Sequence, residues 1–282
     1  MAGPSEPPNV AQQAYWNEAV GPTWVEQQVP LDRQLEPLGR RAMEALALKP
    51  GERVLDIGCG AGATSLQLAE IVGPAGAVVG ADISRPLLGV ARGRSKAANV
   101  SFVEADAQAY PFEAASFDAI FSRFGVMFFV DPTAAFTNLR RALKPGGRLG
   151  FVCWRTPPEN PIMTAPMLAA APFVGMPAPP ADPFAPGPFA FADAERVKGI
   201  LTAAGFQEVA HTPVEMKIGG GDLDATLALA LKVGPLGALL RDNPDKREAA
   251  VGAVRDVLAA HQGPDGVKLD SATWVVTARN TG

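Results

Sequence analysis

The sequence predicts an α/β fold in which helices cover both faces of a doubly wound, mostly parallel sheet of seven strands. Apolar strand-like runs alternate with helix-like stretches through residues 52–154, a pattern typical of a parallel sheet. The glycine-rich turn Gly58-Cys59-Gly60-Ala61-Gly62 follows the first of these runs, where a strand would meet a helix. Together the two patterns predict a Rossmann-like domain that binds a ligand at the carboxyl ends of its strands.

Composition narrows the class of partner. The 282-residue chain is 48% hydrophobic and 19% charged, as globular proteins are, and its formal net charge of −4 offers no basic surface for nucleic acid. No run approaches the about 20 apolar residues of a membrane span, and the N-terminus lacks a secretory signal pattern. Neither Cys59 nor Cys153 has metal-ligand spacing. We therefore expect a cytoplasmic protein with a small-molecule partner and no metal.

Two helices are predicted before the sheet, over Asn9–Val20 and Leu31–Leu48. The second carries apolar residues at helical spacing and stops at Pro50-Gly51. We expect a single domain over residues 1–282, in which residues 1–50 form a helical cover on the sheet.

Residues 51–154 are expected to form the ligand-binding core. Its strands are predicted at Arg53–Ile57, Ala77–Ala81, Ser101–Glu104, Phe117–Ser122 and Arg148–Trp154. Its helices are predicted at Ala63–Val72, Pro86–Ala97 and Pro132–Leu143. Asp131-Pro132 has the composition of a helix start, and Lys144-Pro145-Gly146-Gly147 that of a helix end.

Residues 155–191 contain eleven prolines interleaved with methionine and phenylalanine, which is too apolar for a solvated linker. Because proline stiffens a loop, we expect an apolar lid insertion packed over the sheet edge. Residues 192–282 should complete the sheet. The predicted elements of this part are a helix at Asp193–Ala204, a strand at Gln207–Lys217, two helices within residues 222–262 interrupted around Asn243-Pro244, and a strand at Val267–Arg279.

Acidic residues accompany the ends of three successive predicted strands. Asp56 lies just before the glycines, where a carboxylate would repel a pyrophosphate but attract the ammonium of an amino-acid-bearing nucleoside. Asp82 ends the second strand, a place from which an acid accepts hydrogen bonds from both hydroxyls of a ribose. Asp106 follows the third strand, where its carboxylate suits an exocyclic amine, although by itself it also fits a helix cap.

These motifs resemble those of class I S-adenosylmethionine-dependent methyltransferases, close to the ubiquinone/menaquinone-biosynthesis branch that acts on small molecules. The resemblance is strong over residues 50–154. It implies S-adenosyl-L-methionine as the cofactor, with its methionine moiety wrapped by the loop Asp56-Ile57-Gly58-Cys59-Gly60. It places Asp82 on the ribose, Ile83 against the adenine face, and Asp106 with Ala107 at the adenine edge.

The same resemblance extends the predicted site beyond the glycine loop. Ser122 follows the fourth strand, where the family's backbone meets the methionine amine. The N-terminal residues expected over the cofactor are Trp24 and Gln28, together with Tyr15 and Trp16. An apolar substrate pocket is predicted from Phe124, Met127, Phe128 and Trp154, and it favours a small apolar or aromatic methyl acceptor.

Methyl transfer from a sulfonium needs alignment and exclusion of water rather than a metal or a covalent intermediate. We expect Arg123 to orient the acceptor and assign no general base. His211 and His261 are the only histidines of the chain, and both are expected to be non-catalytic.

Two other classes of function stay open at this point. An NAD-dependent oxidoreductase would reuse the glycine turn and Asp82, but neither Tyr15 nor Tyr110 is followed four residues later by the lysine of a Tyr-x-x-x-Lys pair. A non-catalytic nucleoside-cofactor-binding protein would keep the nucleoside site without a productive acceptor pocket.

Overall fold

The computed structural model describes residues 9–282, so the expected cover over residues 1–50 is described from residue 9 onward. One sheet contains β1 Arg53–Ile57, β2 Ala77–Asp82, β3 Val100–Glu104, β4 Phe117–Arg123, β5 Leu143–Trp154, β6 Gln207–Gly221, the two-residue β7 Gln262–Gly263, and β8 Gly266–Arg279. The main order is β3-β2-β1-β4-β5-β8-β6, and β7 pairs with β8.

The first five strands of the sheet are parallel, and β8 runs antiparallel between β5 and β6. The predicted doubly wound, mostly parallel sheet of seven strands is confirmed, with β7 as a short addition. Chain order reverses between β1 and β4, and a crevice therefore opens outside their carboxyl ends.

The helices lie before and between the strands. They are α1 Val10–Ala14, which continues as a π-helical turn at Tyr15–Ala19, α2 Gly21–Glu26, α3 Gln28–Leu46, α4 Ala63–Val72, α5 Arg85–Arg94, α6 Pro132–Ala142, α7 Pro161–Val174, α8 Ala194–Ala203, α9 Leu223–Lys232, α10 Pro235–Asp242 and α11 Arg247–Ala259. None of the helices within residues 9–282 is long and apolar enough to cross a bilayer.

The predicted helix Asn9–Val20 is interrupted, and α2 is a helix that the sequence did not predict. A Cβ on Gly21 would lie 2.1 Å from the carbonyl oxygen of Trp16, so a glycine is needed where the chain turns from one helix into the next. The following helix α3 begins at Gln28, three residues before the predicted start, and contains Pro37.

The prediction for residues 155–191 is corrected in one respect, because residues 161–174 form the helix α7 with Pro166 and Pro172 inside it. Prolines disfavour the interior of a helix, but here the helix buries Met167, Ala170 and Val174 in a cluster with α11 and β8. Tertiary packing has therefore overridden local propensity.

Other boundaries differ at turns that the structure absorbs into strands. The segment Lys144–Gly147, predicted to end a helix, belongs to β5, which begins at Leu143 and bulges against β4. The helix before it starts as predicted, with the Asp131 carboxylate accepting from the backbone N–H of Ala134 at 2.9 Å. Residues 222–262 contain the three helices α9, α10 and α11 where two were predicted, and α10 and α11 flank Pro244.

Two apolar clusters hold these elements together. The larger one covers both faces of the sheet, and Phe136 of α6 lies at its centre, fully buried against Phe151, Phe191 and Phe206. The smaller one joins α7, α9, α10 and α11 to the start of β8. The C-terminal helices therefore form a layer with its own packing beside the sheet.

We predict that Phe136→Ala lowers the free energy of unfolding by about 3–5 kcal/mol, because it removes a fully buried ring and leaves a cavity. Urea denaturation followed by circular dichroism measures the change. Phe173→Ala serves as the control, since Phe173 is 36% exposed and should lose far less. Equal losses in the two variants would contradict the central position given to Phe136.

Candidate active site

A cavity of about 400 Å³ lies over the crevice at the carboxyl ends of the strands. Most of the residues predicted for the site line it. They are Tyr15, Trp16, Trp24, Gln28, Gly58, Cys59, Gly60, Asp82, Ile83, Asp106, Ala107, Arg123, Phe124, Met127, Phe128 and Trp154. Asp56 and Ser122 do not line it.

The glycine loop contains backbone conformations with positive φ, which residues with a side chain rarely adopt. Gly58, Gly60 and Gly62 have φ values of 67°, 54° and 82°. A Cβ on Gly58 would lie 2.7 Å from the Cα of Gly125, because the backbones that follow β1 and β4 touch there. The loop is also tied to β2, since the N–H of Gly58 donates to the carbonyl of Ala81 at 2.8 Å.

Asp82 is bound to the glycine loop through its carboxylate. Its Oδ2 accepts from the backbone N–H of Gly60 at 2.8 Å, and its Oδ1 accepts from that of Ser84 at 2.8 Å. Burial raises the pKa of Asp82, and the hydrogen bonds from Ser84 and Gly60 act in the opposite direction. Each oxygen keeps lone pairs for further donors on the cavity side.

Asp56, predicted to face a ligand ammonium, points instead into the protein beneath the loop. It is fully buried, and its Oδ2 accepts from the hydroxyls of Thr64 and Ser65, each at 2.7 Å. Burial raises the pKa of Asp56 to about 6, against the hydroxyl hydrogen bonds and the charge of Arg123. In this arrangement Asp56 anchors the first turn of α4.

Ser122, predicted to lie near the methionine end of the cofactor, is also behind the cavity wall. Its hydroxyl donates to the carbonyl of Ile57 at 2.7 Å and accepts from the N–H of Gly125 at 3.2 Å. The hydroxyl therefore joins the ends of β1 and β4 from below. Asp56 and Ser122 support the loop in this structure rather than forming its surface.

Asp106 lies on the cavity wall and is already engaged by Asn9, which the sequence analysis placed only at a helix start. The Asn9 side-chain amide donates to both carboxylate oxygens of Asp106, at 2.8 and 2.9 Å. Its carbonyl oxygen accepts from the backbone N–H of Val130 at 2.9 Å. These contacts hold the start of α1 against the end of β3.

We call residues 9–28 the N-terminal strap. Its central residue Trp16 packs edge-on against Tyr15, Trp24 and Phe128, with ring centroids 5.2–5.6 Å apart. Asn17 donates to the carbonyl of Ile83 at 2.9 Å. The strap therefore covers the side of the cavity formed by the ends of β2 and β3.

Arg123 ends β4 and lines the cavity, but its guanidinium is not free. Its Nη2 donates to Oδ1 of Asp32 at 2.9 Å, and Oδ2 of Asp32 accepts from Arg94 at the same distance. Asp32 also lines the cavity. Asp32 and Arg94 were not predicted from the sequence, because Asp32 is far along the chain from both arginines that it contacts.

The other side of the cavity is apolar. Phe124 and Trp154 stack with centroids 4.3 Å apart and an interplanar angle of 13°. Phe124 has a φ of 62°, which is rare for a bulky residue and marks local strain beside the cleft. The remaining apolar wall comes from α7, α9, α10 and α11, through Ile162, Met163, Met167, Leu229, Leu236 and Leu258.

Neither His211 nor His261 lines the cavity. His211 lies on β6 and packs edge-on against Trp274, and burial lowers its pKa. Within residues 9–282, no three His, Cys, Asp or Glu side chains are grouped closely enough to hold a metal ion.

Parts of the chain are similar in sequence to known proteins. Residues 54–147 match the family model described as a methyltransferase domain. The ubiquinone/menaquinone biosynthesis C-methyltransferase UbiE of Cellvibrio japonicus is 40% identical over 129 residues, which are 44% of this chain and 51% of that protein. The chain thus spans about half the length of the curated relatives it matches.

Solved structures match over most of the chain. The putative methyltransferase of Haloferax volcanii, solved with its Trm112 activator, has a TM-score of 0.57 at 19% identity, covering 94% of this chain and 97% of that one. The chain resembles the class I methyltransferases. Phosphoethanolamine N-methyltransferase 2 of Haemonchus contortus, solved with S-adenosyl-L-methionine, has a TM-score of 0.53 at 20% identity, covering 87% of this chain and 53% of that one.

We predict that Gly58→Ala damages the glycine loop more than Gly60→Ala does. Both variants force a side chain into a positive φ, at a cost of about 1–2 kcal/mol, but the Cβ of Gly60 would meet nothing closer than 4.0 Å. Gly58→Ala must also separate two backbones. Thermal melting of the two variants should show the larger loss in Gly58→Ala, and the reverse order would contradict the close approach to Gly125.

The raised pKa of Asp56 predicts a pH dependence of stability. Between its ordinary value of 3.8 and about 6, the folded protein binds this proton more readily than the unfolded chain does. Asp56 therefore contributes stability that is fully present below pH 3.8 and is lost as pH rises through 6, in total about 3 kcal/mol.

Urea denaturation of the wild type and Asp56→Asn at pH 4, 5, 6 and 7 isolates this effect. The free energy of unfolding of the wild type, minus that of the variant, should fall across the series because asparagine does not titrate. A constant difference would show that Asp56 does not titrate in this window.

Proposed function

We propose that the protein is an S-adenosyl-L-methionine-dependent methyltransferase acting on a small, largely apolar or aromatic metabolite. One observation carries the proposal. The segment that matches a methyltransferase domain, residues 54–147, supplies the polar side of the cavity, where Asp82 is bound to the glycine loop. The similar protein of Cellvibrio japonicus is a C-methyltransferase of ubiquinone/menaquinone biosynthesis, which supports the same activity.

The polar side suits an amino-acid-bearing nucleoside better than a dinucleotide. Asp82 offers free lone pairs to ribose hydroxyls, and Asp106 offers a second carboxylate near the place where the resemblance puts adenine. Asp32 is a third acid lining the cavity, and Arg123, which also lines it, is paired with Asp32. Such a wall is unfavourable for the pyrophosphate of NAD.

The apolar side suits the proposed acceptor. The stacked pair Phe124 and Trp154 provides a flat surface in the cavity, and α7 contributes Met163 and Met167 to the same lining. Methionine side chains adapt to ligands of irregular shape. This combination favours a planar apolar compound, and quinonoid and other aromatic compounds are of this kind.

When bound, S-adenosyl-L-methionine supplies a methyl group activated by its sulfonium. The chain's own residues hold the two reactants in line and exclude water, which accounts for much of the catalysis when no group on the protein reacts. The strap covers the polar side, and the aromatic pair and α7 enclose the apolar side. Arg123, fixed by Asp32, supplies a positive charge between the polar and the apolar side. We propose that this charge orients the acceptor.

We predict that Asp82→Ala weakens binding of S-adenosyl-L-methionine by about ten- to hundredfold, because it removes charge-assisted acceptors for the ribose hydroxyls. Isothermal titration calorimetry with S-adenosyl-L-methionine, S-adenosylhomocysteine and NAD measures the affinities. Glu113→Gln is the matched control, since Glu113 is exposed and pairs with Arg53 at the other end of β1. Its affinity should equal that of the wild type.

Each arm of this experiment has a defined meaning for the proposal. Wild-type affinity in a folded Asp82→Ala variant removes Asp82 from the site, and tighter binding of NAD than of either sulfur nucleoside favours an oxidoreductase. Transfer of a labelled methyl group into small aromatic or quinonoid compounds supports the enzyme. Binding of the cofactor without transfer to any compound of these classes contradicts the proposed acceptor class and points to a binding protein.

A further inference from the structure

Asp32 lies at a junction of three elements. From the second turn of α3, its Oδ1 accepts from Arg123 at the end of β4, and its Oδ2 accepts from Arg94 at the end of α5, both at 2.9 Å. Gln28 also donates to Oδ2. The side chains of Asp32 and Arg123 are only 20% and 12% exposed, so solvent screens this pair far less than a surface pair.

The same network reaches the glycine loop. The Nη1 group of Arg94 that donates to Asp32 also donates to the carbonyl oxygen of Ala61, at 2.9 Å. Ala61 stands between Gly60 and Gly62 in the loop. One arginine therefore links the carboxylate on α3 to the backbone that borders the cavity.

The surface of α3 is shaped to receive Arg123. Gly39 lies two helical turns after Asp32 and therefore on the same face. A Cβ at Gly39 would be 3.0 Å from Cδ of Arg123. The aliphatic part of Arg123 thus crosses α3 at Gly39 while its guanidinium meets Asp32.

The position of the Arg123 guanidinium depends on Asp32. Its Nη1 is buried and has no hydrogen-bond partner among residues 9–282, whereas its Nη2 donates to Asp32. Its charge also acts on buried Asp56 beneath the loop. Asp32 and Arg123 line both the main cavity and a second crevice of about 280 Å³ between α3 and α4, so the pair separates the two spaces.

We propose that Asp32 is a positioning residue of the site: it fixes Arg123 in the wall of the cleft and, through Arg94, makes docking of α3 and the shape of the glycine loop depend on each other. Loss of its charge frees Arg123 and loosens the carbonyl of Ala61. This inference rests on the proposed function, because the ligand that reports the change is the proposed cofactor product.

The first experiment compares Asp32→Asn with Glu36→Gln by calorimetry with S-adenosylhomocysteine. Glu36 lies on the same helix and pairs with exposed Arg40, so its neutralisation should leave the affinity within about twofold. Asp32→Asn keeps the shape but removes the charge, and we expect its affinity to fall at least tenfold. If the wild type does not bind, the proposed function fails. If it binds and Asp32→Asn binds equally, the role of Asp32 fails.

A double-mutant cycle separates positioning from a general loss of structure. If Asp32 acts through Arg123, Asp32→Asn should weaken binding at least threefold less in an Arg123→Gln background than in the wild type. An equal loss in both backgrounds shows that Asp32 does not act through Arg123 and overturns that part of the proposal. Thermal melting establishes that each variant is folded.

Asp32→Glu keeps the experiment decisive if Asp32→Asn does not fold. Glutamate retains the charge, but its extra methylene displaces both arginines from their present positions. We expect a loss of about three- to tenfold in affinity for S-adenosylhomocysteine. Affinity equal to that of the wild type would show that the site does not require this geometry.

Discussion

The contact between the backbones at Gly58 and Gly125 is the constraint on which the rest of the site depends. Because neither glycine has a Cβ, the chain segments after β1 and β4 can touch at the point where strand order reverses. Ser122 spans this contact from below by bonding both Ile57 and Gly125. With the two strand ends locked together, the glycine loop has to pass over them, and Phe124 takes a left-handed conformation beside them.

The two sides of the cleft come from different parts of the chain and are stabilised differently. The polar side is built from turns at strand ends, and backbone amides set its geometry, as in the bonds from Gly60 and Ser84 to Asp82. The apolar side combines Phe124 and Trp154, at the ends of β4 and β5, with helices that pack in a cluster of their own. A change of acceptor can therefore arise in α7 or α9–α11 without disturbing the loop that is proposed to hold the cofactor.

The sequence predicted the features that are determined locally. Strands β1 to β4 are apolar runs with turn residues at their ends, and the glycine loop and Asp82 follow from the strand–turn–helix pattern. It did not predict contacts between distant residues: Asn9 and Asp106 are 97 positions apart, and Asp32 and Arg123 are 91. The sequence also did not predict the orientation of Asp56, which is set by hydrogen bonds from the hydroxyls of Thr64 and Ser65.

The place of β8 in the middle of the sheet has a consequence for how the molecule folds. Cys153 of β5 pairs with Trp274, 121 residues further along the chain. During synthesis the parallel half of the sheet is therefore complete long before the strand that covers the edge of β5 exists. Until then that edge exposes unpaired backbone groups, which attract other chains. Pairing of β5 with β8 is slow, because closing the long loop between them costs conformational entropy. On the ribosome β5 is therefore the strand edge most in need of protection.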